Sequence, residues 1–140
     1  RHIVNSWNPI ELQNMCLPPC HFAMQFYVRE VDGNKILDMM WYQRSADLAL
    51  GIPFNIASYA LLLHLIAKEV NMLPGVLKCS VGDAHIYGPH LLDAQKQIEL
   101  EPFPLPELDI SDTDLWTFDH KKVKILNYQS HPKISYQLFN

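Results

Sequence analysis

The stretch HFAMQFYVREVDGNKILDMMWYQ, residues 21–43, decides how this chain folds. Residues 21–31 alternate and are rich in aromatics, Asp32-Gly33-Asn34 is a turn signal, and residues 35–43 read as the returning strand. An antiparallel hairpin is therefore predicted. Working outward, residues 2–7 read as a short strand. Asn8-Pro9 ahead of Glu11 and Leu12 supplies an N-cap with proline at the first helical position, so one brief helix is expected before Cys20.

On the other side, Ile56, Tyr59, Ala60, Leu63, Ile66, Ala67 and Val70 recur at steps of three and four, which predicts one long buried helix over residues 55–71. Residues 75–87 read as another strand and residues 90–100 as a second helix. Pro102, Pro104 and Pro106 break the next stretch into extended or turn structure, and residues 123–128 make a last strand. The strands come in adjacent pairs instead of alternating strictly with helices. That pattern predicts an α+β fold, a mixed or antiparallel twisted sheet packed against the long helix.

A chain of 140 residues with 49% apolar content can bury one core, so a single domain over residues 1–140 is expected. The formal net charge is -4 and the Lys and Arg residues are scattered, which argues against a duplex or an anionic membrane as partner. The longest apolar stretch, residues 59–67 interrupted by His64, is far short of the roughly 20 residues a bilayer crossing needs. It is expected in a soluble core. Cys16, Cys20 and Cys79 are an odd number without zinc-ligand spacing, which fits a reducing compartment, the cytoplasm or a host cytoplasm. The histidines share no metal-binding spacing, so no metal site is expected. The chain opens at Arg1 without a leader pattern and reads as a fragment or a processed chain.

Several residues are suited to chemistry. Cys20 follows Leu17-Pro18-Pro19, where proline constraint holds the backbone, and a nucleophilic thiolate needs such a held position beside a positive charge; Arg44 is the candidate cation. By residue type alone, a buried structural cysteine is the commoner role. Arg44, Ser45 and Asp47 combine a cation, a hydroxyl and a carboxylate suited to gripping a phosphate and a polar ring, against the plainer reading of an Arg44–Asp47 surface ion pair. Asn55 is either a helix N-cap or a reader of an amide-like ring edge, since its side chain offers one acceptor and two donors. His85 and Tyr87 fall on one face of the expected strand, where two polar tips can hold sugar hydroxyls or serve as satisfied core residues.

The order of these segments resembles the thymidylate synthase family: Leu-Pro-Pro-Cys-His at 17–21, Tyr-Gln-Arg-Ser-x-Asp at 42–47, Gly-x-Pro-Phe-Asn-Ile-Ala at 51–57 and Gly-Asp-x-His-x-Tyr at 82–87. The resemblance covers nearly the whole chain and corresponds to the C-terminal half of a family member. It implies that Cys20 adds to carbon six of the pyrimidine of deoxyuridylate, so that carbon five captures the methylene of methylenetetrahydrofolate. It further implies that Arg44 and Ser45 bind the nucleotide phosphate, with Arg44 favouring the thiolate, and that Asp47 contacts pyrimidine and folate. Asn55 would select uracil, because cytosine-using relatives carry aspartate there. His85 and Tyr87 would hold the deoxyribose hydroxyl, and Ala46 and Ile86 would contribute backbone atoms. Arg1 matches the second of an arginine pair that reaches the partner's phosphate across a homodimer interface.

The resemblance also has gaps. The N-terminal half, with the family's general-base glutamate, folate-stacking tryptophan and arginine loop, is missing, so this chain alone is expected to be inactive. The tail ends Tyr136-Gln137-Leu138-Phe139-Asn140, and Phe139, expected near folate, replaces a small family residue, which would reshape the closed site. Closure that admits water would favour a deoxyuridylate hydroxymethylase, in which water instead of hydride quenches the exocyclic methylene. An expectation from another class, a non-catalytic module binding nucleotide or RNA, conflicts with the acidic balance and the absence of a basic aromatic surface.

Overall fold

The computed structural model describes residues 1–138, so the expected folate contact Phe139 lies outside the described residues. The chain forms two compact units, Arg1–His85 and a second that begins at Ile86.

The first unit is a four-stranded sheet in the order β1 (His2–Asn5), β2 (His21–Val31), β3 (Asn34–Asp47), β4 (Leu73–His85), with helix α1 (Gly51–Glu69) between the last two. The β2–β3 hairpin turns on Asp32 (φ 50°) and Gly33 (φ 76°), the paired left-handed residues that match the twist of the flanking strands. The sheet is mixed: β1–β2 and β2–β3 are antiparallel, whereas β3 and β4 run parallel, as a helix crossover requires. The α+β class with a mixed sheet against a long helix is the expected one.

Period-2 alternation along β3 turns Leu37, Met39, Trp41 and Gln43 inward. Leu37, Met39 and Trp41 meet Tyr59, Leu63 and Ala67 of α1, which share one helix face, and Trp41 stacks on Tyr59 with ring centroids 4.9 Å apart. Burying each large member of this cluster is worth about 1.5–3 kcal/mol, so the β3–α1 contact contributes substantially to the stability of the unit. By length and composition α1 could also cross a membrane; here Tyr59, Leu63 and Ala67 on one of its faces pack against the sheet. Across the hairpin, Asp38 accepts from Arg29 Nε at 2.8 Å and from the Val76 N–H at 2.7 Å. Burial alone would raise the Asp38 carboxyl, but these two donors hold it below the usual 3.8.

Three local expectations change. The brief helix before Cys20 is only a three-residue 3-10 turn, Leu12–Asn14, because Asn8 spends its carbonyl and side chain on a tight turn to Glu11 and Ile10. Helix α1 starts at Gly51, four residues before the periodic stretch. Strand β4 ends at His85, so Tyr87 lies beyond the strand and not on its face.

The second unit contains α2 (Leu91–Ile98) and an antiparallel pair, β5 (Glu107–Asp109) with β6 (Lys124–Leu126). Its C-terminal segment is fastened to α2 and the turn before it: Tyr136 Oη donates to Gln97 at 2.6 Å, and buried His90 bonds the Gln137 carbonyl at 2.8 Å.

Candidate active site

Topology gathers the candidate residues at one end of the sheet. Antiparallel β2 begins where β3 ends, parallel β4 ends there too, and α1 departs from the same end. Cys20, Arg44, Ser45, Asp47, Asn55 and His85 therefore converge there, although Cys20 and His85 stand 65 positions apart in the sequence.

Cys20 stands immediately before β2. The register pairs His21 with Gln43, and the Arg44 N–H donates to the Cys20 carbonyl at 2.8 Å, which sets Arg44 beside the thiol. Its guanidinium is fastened to the loop that carries the thiol: Nε donates to the Pro19 carbonyl at 3.0 Å and Nη2 to the Pro18 carbonyl at 2.8 Å. Nη2 also lies 3.8 Å from Cys20 Sγ. The two prolines thus supply carbonyl acceptors that hold a fixed cation against the sulfur. A bulge at Phe22, where the pairing slips between His21 and Ala23, turns the start of β2, as bulges beside functional sites do. Arg44 also lines a cavity of about 390 Å³ with Asn5, Trp7 and Phe22. A larger cavity, about 450 Å³, has none of the candidate residues in its lining.

Asp47 forms no ion pair with Arg44. Its Oδ1 accepts from the N–H groups of Ala49 and Leu50, at 3.1 and 3.3 Å, and so shapes the turn into α1. Ser45 and Asp47 pair in register with Asp83 and His85, and His85 Nδ1 lies 3.3 Å from the Asp83 carboxylate. Ala46 is 1% exposed, buried where β3 pairs with β4. Ile86 and Tyr87 open the second unit as exposed residues, and the Tyr87 ring packs edge-on against His90.

Asn55 lies in the second turn of α1 and is not its cap; its Oδ1 accepts from Gln43 Nε2 at 3.2 Å. Arg1 is not brought to this end. It precedes His2, which pairs with Phe26, roughly 20 Å along β2 from Cys20 at about 3.3 Å per residue. Two contributions escape a reading of the sequence: buried Gln43, and His21, whose Nδ1 shares a 2.8 Å hydrogen bond with Tyr59 Oη. The alternation of β3 carried a signal for Gln43, an amide in a row of core residues. His21 carried none beyond its place after Cys20. Among the described residues, no three His, Cys, Asp or Glu side chains stand close enough to hold a metal ion.

Comparison with known proteins identifies the family. The family profile described as thymidylate synthase matches residues 1–139. The chain is 47% identical to the thymidylate synthase of Mycoplasma pneumoniae over 135 residues, covering 96% of this chain and 46% of that protein. It is 48% identical to that of Staphylococcus haemolyticus over 135 residues, covering 96% of this chain and 41% of the relative. The crystal structure of thymidylate synthase from T4 phage superposes with a TM-score of 0.85 at 43% identity, covering 97% of this chain and 51% of that one. The chain thus spans about half the length of the relatives it matches. With the profile covering all but the last residue, the chain belongs to the thymidylate synthase family.

Proposed function

We propose that the complete protein converts deoxyuridylate to thymidylate, with methylenetetrahydrofolate as carbon donor and reductant and dihydrofolate as the second product. The observation that carries this reading is the Cys20 thiol held 3.8 Å from a guanidinium anchored on Pro18 and Pro19. In this reading Cys20 attacks carbon six of the pyrimidine, the ring electrons move to carbon five, and the thioether bond breaks again at the end of the cycle. The folate, when bound, supplies the one-carbon unit and the hydride.

Arg44 would serve two anions. With Nε and Nη2 committed to the loop, Nη1 makes no hydrogen bond among the described residues and is free for the nucleotide phosphate, beside the Ser45 hydroxyl. Asp47 fits the folate and pyrimidine: its Oδ1 is occupied by Ala49 and Leu50, which leaves Oδ2 as an acceptor for a ring N–H. Asn55 would read the uracil edge, His85 and Tyr87 would hold the sugar hydroxyl, and Ala46 and Ile86 would add backbone contacts. Arg1, remote from its own Cys20, suits a role at the phosphate of a second copy in a homodimer. The free thiols Cys16, Cys20 and Cys79 suit a cytoplasmic enzyme.

The test is product identity. The complete enzyme, given deoxyuridylate and methylenetetrahydrofolate, should release dihydrofolate and a methylated nucleotide. Hydroxymethylated nucleotide with tetrahydrofolate would instead make it a hydroxymethylase.

A further inference from the structure

We propose that Tyr136, acting through His90, sets the position of Tyr87, so that docking of the C-terminal segment strengthens the protein's hold on the deoxyribose hydroxyl. The inference rests on the reading of Tyr87 as a residue that binds the sugar. Tyr136 and His90 enter it as positioning residues, whose effect on the nucleotide passes through Tyr87. All of them belong to the second unit.

The contact starts in a single turn. Gly88–His90 is a 3-10 turn with proline at its start, and the His90 N–H donates to the Tyr87 carbonyl at 2.8 Å. Proline suits that place because its φ is fixed in advance and its missing N–H is not needed there. The closed turn brings the Tyr87 and His90 rings together, centroids 5.8 Å apart and planes at 74°. Edge-to-face packing of this kind is directional, so the Tyr87 ring follows the His90 ring.

His90 is held in turn by the C-terminal segment. The imidazole is 2% exposed, and its Nε2 lies 2.8 Å from the Gln137 carbonyl oxygen. A carbonyl can only accept, so Nε2 carries the proton and donates it, which fixes that edge of the ring. The Tyr136 ring lies against the same imidazole, centroids 5.0 Å apart at 62°. Tyr136 Oη donates to Gln97 Oε1 at 2.6 Å, on the helix that His90 leads into. The segment therefore grips His90 through a hydrogen bond and an aromatic ring, and Tyr136 is itself tied to α2.

Tyr87 gains most from such support, because it is 40% exposed and lies beyond the end of β4. A side chain in that setting has several rotamers open unless a neighbour excludes them. His90 is that neighbour. A hydroxyl already held in one position binds its partner without first losing that freedom. Loss of the support would weaken only a nucleotide with a sugar hydroxyl for Tyr87 to bind, and deoxyuridylate has one, on carbon three.

The experiment compares deoxyuridylate with dideoxyuridylate, which lacks that hydroxyl, by calorimetry on the complete enzyme. The proteins are the native enzyme, Tyr136→Ala, Tyr136→Phe and Gln97→Met. Tyr136→Ala removes both the ring against His90 and the bond to Gln97. Tyr136→Phe keeps the ring and removes the bond, and Gln97→Met removes the same bond from the exposed helix side. The deoxyuridylate-to-dideoxyuridylate affinity ratio should fall about fivefold or more in Tyr136→Ala, and about twofold in the other two. A loss shared equally by both nucleotides marks a packing defect and overturns the inference, as does an unchanged ratio in Tyr136→Ala. Where Tyr136→Ala does not fold, an unchanged ratio in both Tyr136→Phe and Gln97→Met has the same force. Each of these leaves the proposed function standing. A native enzyme that binds both nucleotides equally overturns the reading of Tyr87, and this inference with it.

Discussion

Nη2 of Arg44 lies 3.8 Å from Cys20 Sγ and, through the same nitrogen, donates to the Pro18 carbonyl at 2.8 Å. Cation and nucleophile are thereby parts of one loop-and-strand assembly. A lysine would keep the charge but lose the planar fork that spans both proline carbonyls. Arg44→Lys should lower kcat/KM by at least about tenfold, with a smaller effect on folding. Steady-state kinetics beside a urea titration measure the two effects separately.

Gly82 explains a constraint on the same arginine. A Cβ at this position would stand 2.9 Å from the Arg44 carbonyl oxygen, and a backbone atom cannot swing aside as a side-chain tip can. Gly82→Ala should force β3 and β4 apart at Arg44, with a loss of about 1–3 kcal/mol in stability and reduced turnover. Equilibrium unfolding and kinetics on the same preparation check both.

Trp41 is 2% exposed and stacked on Tyr59 at an interplanar angle of 10°, at the centre of the β3–α1 contact. Trp41→Ala should cost about 3–5 kcal/mol. A lower urea midpoint with an unchanged slope would identify this as loss of packing and not a change in the unfolded state.

The pH dependence of stability should include a histidine component. Burial in α1 holds the His64 imidazole below its usual value of 6.5, so the unfolded chain takes up a proton at a higher pH than the folded one. The associated stability is present above about 6.5 and is lost as pH falls through the lower folded value. Denaturation midpoints collected from about pH 7.5 down to about 5 should decline in this window. His64→Gln should flatten that decline.

Local signals recovered the hairpin, because Asp32-Gly33 demands its own turn geometry and the flanking strands alternate. The start of α1 was harder to read. Gly51 and Pro53 look like loop residues, yet proline is tolerated in a first turn whose N–H groups have no helical acceptor. The turn into the helix is shaped by Asp47, so Asn55 is released from capping. The parallel pairing of β3 with β4 was also hidden, since periodicity within one strand does not name its neighbour. At the site, Cys20, Arg44 and Asn55 stood out through ordered motifs. Gln43 sat inside one of those motifs without a role, because its importance depends on the face of β3 it occupies and on which residue of α1 lies opposite.

Whether Cys20 is the nucleophile can be decided by mass spectrometry of the complete enzyme quenched during turnover with deoxyuridylate and methylenetetrahydrofolate. Nucleotide mass is expected on the peptide containing Cys20, together with a loss of turnover of at least about a thousandfold in Cys20→Ala. Nucleotide attached to another residue, or a Cys20→Ala enzyme that still turns over near the native rate, would contradict that role.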